Sequence, residues 1–190
     1  AVAMVMLFIG GARWRHLVPV IGCGAAGFVH ICRNDPERLA RLTTFLDPWK
    51  DPEAEGFQLI QSLVAFARGA AFGQGPGAGE QKLRYIFAAE SDFIFANIGE
   101  EMGLAGTLAV LLLFVLLLIM GFNIAKNAPD LLGSMLAAGI VALIAMQAAL
   151  NMAVTTGIAP TKGLPLPFVS AGGSALVVSA VMIGILVNVG

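Results

Sequence analysis

Apolar residues in this chain fall in long unbroken runs, not at the alternating or helical spacing of half-buried elements. Leu17–Cys32 (16 residues), Leu104–Phe122 (19), Leu131–Val154 (24) and Ala171–Val189 (19) contain no Asp, Glu, Lys or Arg, and Ala1–Ile9 reads as the tail of a further run. Crossing a bilayer takes roughly 17–25 apolar residues. Without water to satisfy backbone groups, such runs must be helical. The pattern predicts an all-α polytopic membrane protein with about four to five transmembrane helices. Residues 1–32 hold a truncated helix, a short loop and a second helix; 33–101 form one large loop; 102–190 hold three helices with a further loop at 155–170.

Short loops set the orientation. Gly10–His16 carries Arg13, Arg15 and His16, and Asn123–Asp130 carries Lys126, so both read as cytoplasmic by the positive-inside rule. Alternation then places 33–101 and 155–170 outside. The long loop has 69 residues and holds seven of the Lys/Arg and eleven of the twelve acidic residues. Long loops cross largely regardless of charge, so the assignment stands.

Composition agrees with this picture and narrows it. Charged residues make up 12% of the chain, against roughly 25% in soluble domains. A net charge of −1 offers no basic field for nucleic acid. Cys23 and Cys32, nine residues apart, would sit ~13 Å apart along one helix. That rules out a mutual disulfide and suggests small packing residues. No charged leader precedes a short apolar stretch and cleavage site, and the chain reads as a segment of a longer polypeptide. In the apolar runs, Gln147 and Asn151 share one helix face at i,i+4 and suit interhelical hydrogen bonding. His30, near a span end, suits the interface.

The chemistry is concentrated in the long loop. Phe45–Pro52 places two Asp-Pro steps around Trp49, predicting a rigid turn. Gln58–Ala67 sets Leu59, Ile60, Leu63, Val64 and Ala67 at helical spacing; too short to cross, it should lie in the interface or re-enter. The Gly-rich stretch 71–79 lacks the Lys-Ser/Thr of a phosphate loop and suits close backbone approach to a ligand or neighbour. Asp92 stands just before Phe93-Ile94-Phe95, where the chain returns to apolar surroundings. A carboxylate there has two equal readings: a general base made stronger by desolvation, or, with Ser91, the cap of the following helix. Glu100 and Glu101 read as ion-pair or interface residues.

Six stretches in register give the chain a family resemblance: FLDPWKDP (45–52), GFQLIQSL (56–63), GQGPGAGEQK (73–82), SDFIFANIGEEMG (91–103), QAALN (147–151) and APTKGLPLPFVSAGGS (159–174). It resembles the C-terminal half of the SEDS family of bacterial peptidoglycan glycosyltransferases, and its cell-division branch more than its elongation branch. That resemblance implies a ten-helix fold in the bacterial inner membrane with a large extracytoplasmic loop, and polymerisation of lipid II into glycan strands during septal wall synthesis. It implies a class B penicillin-binding protein and other division proteins as partners. The family's catalytic aspartate matches Asp92, and its Pro-Thr-Lys-Gly lysine matches Lys162. Phe87-Ala88-Ala89-Glu90-Ser91 departs from the family's Pro-Glu-Ala-His-Thr, and Ala171 replaces a tyrosine; neither touches the proposed base.

The implied chemistry is self-consistent. Inverting an α-linked sugar pyrophosphate to a β-1,4 bond takes one displacement. Pyrophosphate leaves unprotonated, so one base suffices where glycosidases need two carboxylates. Asp92 is the candidate catalytic base. Lys162, Lys82 and Arg84, with a divalent cation such as Mg²⁺ or Mn²⁺, are candidates for the leaving phosphates; Ser170, Gln147 and Asn151 complete the expected substrate site. No organic cofactor is expected. An elongation-type polymerase, a lipid II flippase or transporter, and a non-enzymatic scaffold are the alternatives. A transporter would place ionisable groups at midplane near broken helices.

Overall fold

The computed structural model describes residues 2–35, 47–50, 52, 56–79, 92–160 and 163–190. Every regular element among them is helical: α1 (Val2–Ile9), α2 (Trp14–Asn34), a 3₁₀ turn (Pro48–Lys50), α3 (Phe57–Gly69), α4 (Ile94–Asn127), α5 (Leu131–Thr155) and α6 (Gly173–Val189). The five apolar runs all become helices. α4 and α5 are long and apolar enough to cross a membrane, while α6 has 17 residues. α2 extends beyond its expected run at both ends, to 21 residues that take in Arg15, His16 and Arg33.

α5 is the central helix, with α1, α4 and α6 against it and α3 across its end. Small residues make the approach possible. Ala137, Ala138 and Ala148 are buried in the core, Gly139 faces Met6 of α1, and Gly121 of α4 leaves room for Val141 and Leu186. Large apolar side chains such as Leu112, Leu113 and Met120 point outward, as a lipid-facing surface requires. Asp130 caps α5 by accepting from Gly133 N–H at 3.0 Å. Cys23 is exposed instead of packed. The reason is local: α2 makes few contacts with the rest of the described chain.

The segment expected at 58–67 is a 13-residue helix, α3, whose Leu59, Ile60, Ser62, Ala65 and Gly69 are buried. It packs against α4 and the end of α5. Ser62 Oγ donates to the Thr155 carbonyl at 2.7 Å, satisfying one of the acceptors that a helix end leaves open. Ser62→Ala should lower stability by about 1–3 kcal/mol by leaving that buried carbonyl unmet. The check is a lower thermal midpoint of the full-length protein in detergent.

α4 is broken at Gly103, which adopts φ 65°, ψ −159°. Across the break, Leu104 and Ala105 cannot donate to Glu100 and Glu101 as a continuous helix would require. The Gly-rich stretch takes both sides instead. Leu104 N–H donates to Ala70 O (2.9 Å) and Ala105 N–H to Ala71 O (3.2 Å), while Glu100 O accepts from Gln74 N–H (3.0 Å) and Glu101 O from Gly75 N–H (3.0 Å). The expected close backbone approach is therefore to a neighbouring helix. Glu100, fully buried, lies 3.9 Å from the Arg68 guanidinium at the end of α3, the ion-pair role expected of it; a buried carboxylate needs such a partner.

Candidate functional site

Phe93 and Phe95 fix the entry of α4. Phe93 is buried against Val154 and Ala159; Phe95 is buried and meets the Phe66 ring edge-on at 5.9 Å between centroids. These two anchors, separated by the partly buried Ile94, hold residue 92 at the mouth of the helix. The cap position falls on Phe93, which makes no side-chain cap bond. The Asp92 side chain, half-buried, lies against the loop that follows α5. A Cβ added to Gly163 would stand 2.7 Å from Asp92 Oδ2 and 3.6 Å from Cγ, so the carboxylate rests on the glycine's α-carbon.

That second loop is held backbone group by backbone group. Pro165 and Pro167 have no N–H to give, and the Leu166 N–H between them donates to Ser170 Oγ at 2.7 Å. The Leu166 carbonyl accepts from Val169 and Ser170 N–H at 3.3 and 3.1 Å, closing a turn in which Phe168 takes φ 65°. One face of α5 holds the other carbonyls. Gln147 Nε2 donates to Pro165 O at 3.3 Å. Asn151 Nδ2 donates to Leu164 O at 2.6 Å and to Asp92 O at 2.8 Å. One turn on, Thr155 Oγ1 returns a bond to Asn151 O at 3.0 Å.

Asp92, Gln147, Asn151 and Ser170 are thus brought together. Gln147 Nε2, Asn151 Nδ2 and Ser170 Oγ bond the backbone of residues 92 and 164–166, while Asn151 Oδ1 is buried with no hydrogen-bond partner among the described residues. Gln147 and Asn151 serve a loop, where interhelical bonds were expected. Lys162, Lys82 and Arg84 lie outside the described residues. Among the described residues no cluster of three or more His, Cys, Asp and Glu side chains could hold a metal. Gly163 is the site residue that spacing alone does not flag, since its role is to be absent where a carboxylate sits.

A family model described as cell cycle protein, spanning FtsW, RodA and SpoVE, matches residues 1–190. The chain belongs to this family. It is 46% identical over 186 residues to the stage V sporulation protein E of Bacillus subtilis (strain 168), covering 98% of this chain and 51% of that protein. It is 44% identical over 189 residues to a probable peptidoglycan glycosyltransferase FtsW of Geobacter sp. (strain M18), covering 100% and 52%. Among solved structures, one chain from work described as structural coordination of polymerization and crosslinking by a peptidoglycan synthase complex superposes with a TM-score of 0.76 at 27% identity, covering 97% of this chain and 51% of that one. This FtsW/RodA/SpoVE member spans about half the length of the relatives it matches. The described residues, helical in every regular element and with two helices long and apolar enough to cross a membrane, agree with the family.

Proposed function

We propose that this chain carries the catalytic half of a peptidoglycan glycosyltransferase that polymerises lipid II by a single inverting displacement, acting in septal wall synthesis at the outer face of the bacterial inner membrane. The observation that supports this best is the apposition of the Asp92 carboxylate to Gly163, next to Lys162. A proton acceptor and a cation would thereby lie on two adjoining loops.

In this reading Asp92 accepts the proton of the acceptor sugar's 4-hydroxyl as its oxygen attacks C1 of the donor. The C1–O bond to the pyrophosphate breaks, and undecaprenyl pyrophosphate leaves with the electron pair. Lys162, with Lys82 and Arg84, balances charge on the departing phosphates. A divalent ion, bound through those phosphates, would add to the same charge balance. A class B penicillin-binding protein is the proposed partner, crosslinking the strands made here. The test is lipid II polymerisation by the full-length protein with that partner after the Asp92 carboxylate is removed. Undiminished glycan synthesis would sink the assignment.

One observation favours a second reading, a lipid II flippase. A helix broken at Gly103 beside the buried Glu100 is the kind of feature that transporters use. In those proteins the freed helix ends face the cargo. Here the carbonyls of Glu100 and Glu101 and the N–H groups of Leu104 and Ala105 are bonded to residues 70–75, which favours the enzyme. Translocation of labelled lipid II in proteoliposomes, without polymerisation, would reverse the order.

A further inference from the structure

We infer that Asn151 is a positioning residue for the reaction: its side-chain amide ties the backbone at Asp92 to the backbone at Leu164 and so sets where the catalytic carboxylate stands relative to Gly163. This rests on the reading of Asp92 as the base.

Three observations carry it. First, the stoichiometry is complete: an Asn Nδ2 has two N–H groups, and they meet two carbonyls, Asp92 O at 2.8 Å and Leu164 O at 2.6 Å. Those carbonyls belong to loops 72 positions apart in the chain, so one amide ties the two backbones together. Second, Asn151 is 2% exposed. Hydrogen bonds made by a buried donor hold geometry more tightly than exposed ones. Third, the tie acts at the point of closest approach. Leu164 follows Gly163 directly, and Gly163 is where the Asp92 carboxylate rests. Shifting the 164 backbone outward would carry Gly163 away from Asp92. The neighbouring bonds define its direction: Gln147 holds Pro165, whereas Asn151 bonds both loops by one side chain.

Placing a base and a charge-balancing group matters to rate, since a misplacement of about 1 Å can cost about 10²-fold. Asn151 itself touches neither proton nor phosphate. Its loss should therefore slow turnover more than it weakens substrate binding.

The experiment uses the full-length protein with its partner and lipid II as substrate. Asn151→Ala should lower kcat by roughly 10–100-fold while KM moves by less than about threefold. Gly163→Ala, which displaces the carboxylate from the other side, should also lower kcat. Combined, the two should cost less than the product of their separate effects, because both act on one spacing. A second readout is independent of catalysis. In a background cleared of native cysteines, a cysteine pair at positions 92 and 163 puts the two Cβ atoms within about 5 Å, near disulfide range. It should crosslink several-fold more slowly when Asn151 is Ala. Unchanged kcat per folded molecule, multiplicative effects, or crosslinking as fast without Asn151 as with it would each overturn the inference. If Asp92 proves not to be the base, polymerisation survives Asp92→Asn while the crosslinking difference still stands or falls on its own. Should Asn151→Ala not fold, Asn151→Ser, whose hydroxyl is too short to span both carbonyls, carries the same two measurements.

Discussion

Asp92→Asn in the full-length protein is expected to reduce lipid II polymerisation by about 10²–10⁴-fold, the span that general-base catalysis supplies. Membrane insertion and thermal midpoint should stay near those of the parent. The substitution is nearly isosteric, so the side chain still fits against Gly163, and the backbone carbonyl still accepts from Asn151. What disappears is the capacity to take a proton from the acceptor hydroxyl. A structural role would give the opposite pattern. Asn caps a helix as well as Asp does, so a lost cap could not stand in for lost chemistry. Asp92→Glu should fare little better: the added methylene has to fit where the carboxylate already rests on Gly163, so the base is retained but moved. Glycan strands from labelled lipid II, resolved on a gel, give both results. Wild-type levels from Asp92→Asn, with the partner present, would remove Asp92 from the mechanism.

The helices were legible because each apolar run is long and uncharged, and the membrane leaves such a run only one conformation. Leu131–Val154 became Leu131–Thr155, and Ala171–Val189 became Gly173–Val189. The break in α4 was not legible. A run beginning at Leu104 looks like the start of a span, and nothing local says that Ile94–Met102 is a further helical segment joined to it through a glycine in a conformation other residues rarely adopt. That arrangement depends on backbone groups from residues 70–75, some thirty positions earlier in the chain. Asp92 was legible as a residue but ambiguous as a role, since a carboxylate ahead of an apolar helix suits capping and catalysis equally. The apposition of its carboxylate to Gly163 is the observation on which the proposed base role rests. The amides of Gln147 and Asn151 were visible as a shared face, but their partners were not. Loop carbonyls at 164 and 165 leave no mark in the sequence, except that the prolines at 165 and 167 limit what else can bond there.

The second large effect should come from Gly73 and Gly103, where the Gly-rich stretch crosses the broken helix. Gly73 has φ 78° and its Cβ position falls on the Glu101 carbonyl; Gly103 has φ 65° and its Cβ position falls on the backbone of residues 71–73. An alanine at either would carry the left-handed penalty of roughly 1–2 kcal/mol. It would also collide with main chain, which cannot step aside as a side-chain tip can. Relieving the collision means separating the two segments, and that would give up some of the four hydrogen bonds that close the break. In apolar surroundings each unmet group costs about 1–3 kcal/mol. Gly73→Ala and Gly103→Ala are each expected to destabilise by more than about 4 kcal/mol, seen as loss of folded full-length protein or a steep fall in its thermal midpoint. Gly75 supplies the comparison. It has φ 108°, but nothing lies within 4 Å of its Cβ position, so Gly75→Ala should show the conformational penalty alone. If all three alanines proved equally mild, the stretch would not be closing the helix. The Arg68–Glu100 pair offers a further check on the same unit: Glu100→Ala removes the buried partner of a cation, whereas Glu100→Gln keeps a polar group there, and the first should destabilise more than the second. A break closed in this way leaves α3 and both halves of α4 moving as one body. The start of α4, and with it Asp92, is then held from the α3 side by the closed break and from the α5 side by Asn151.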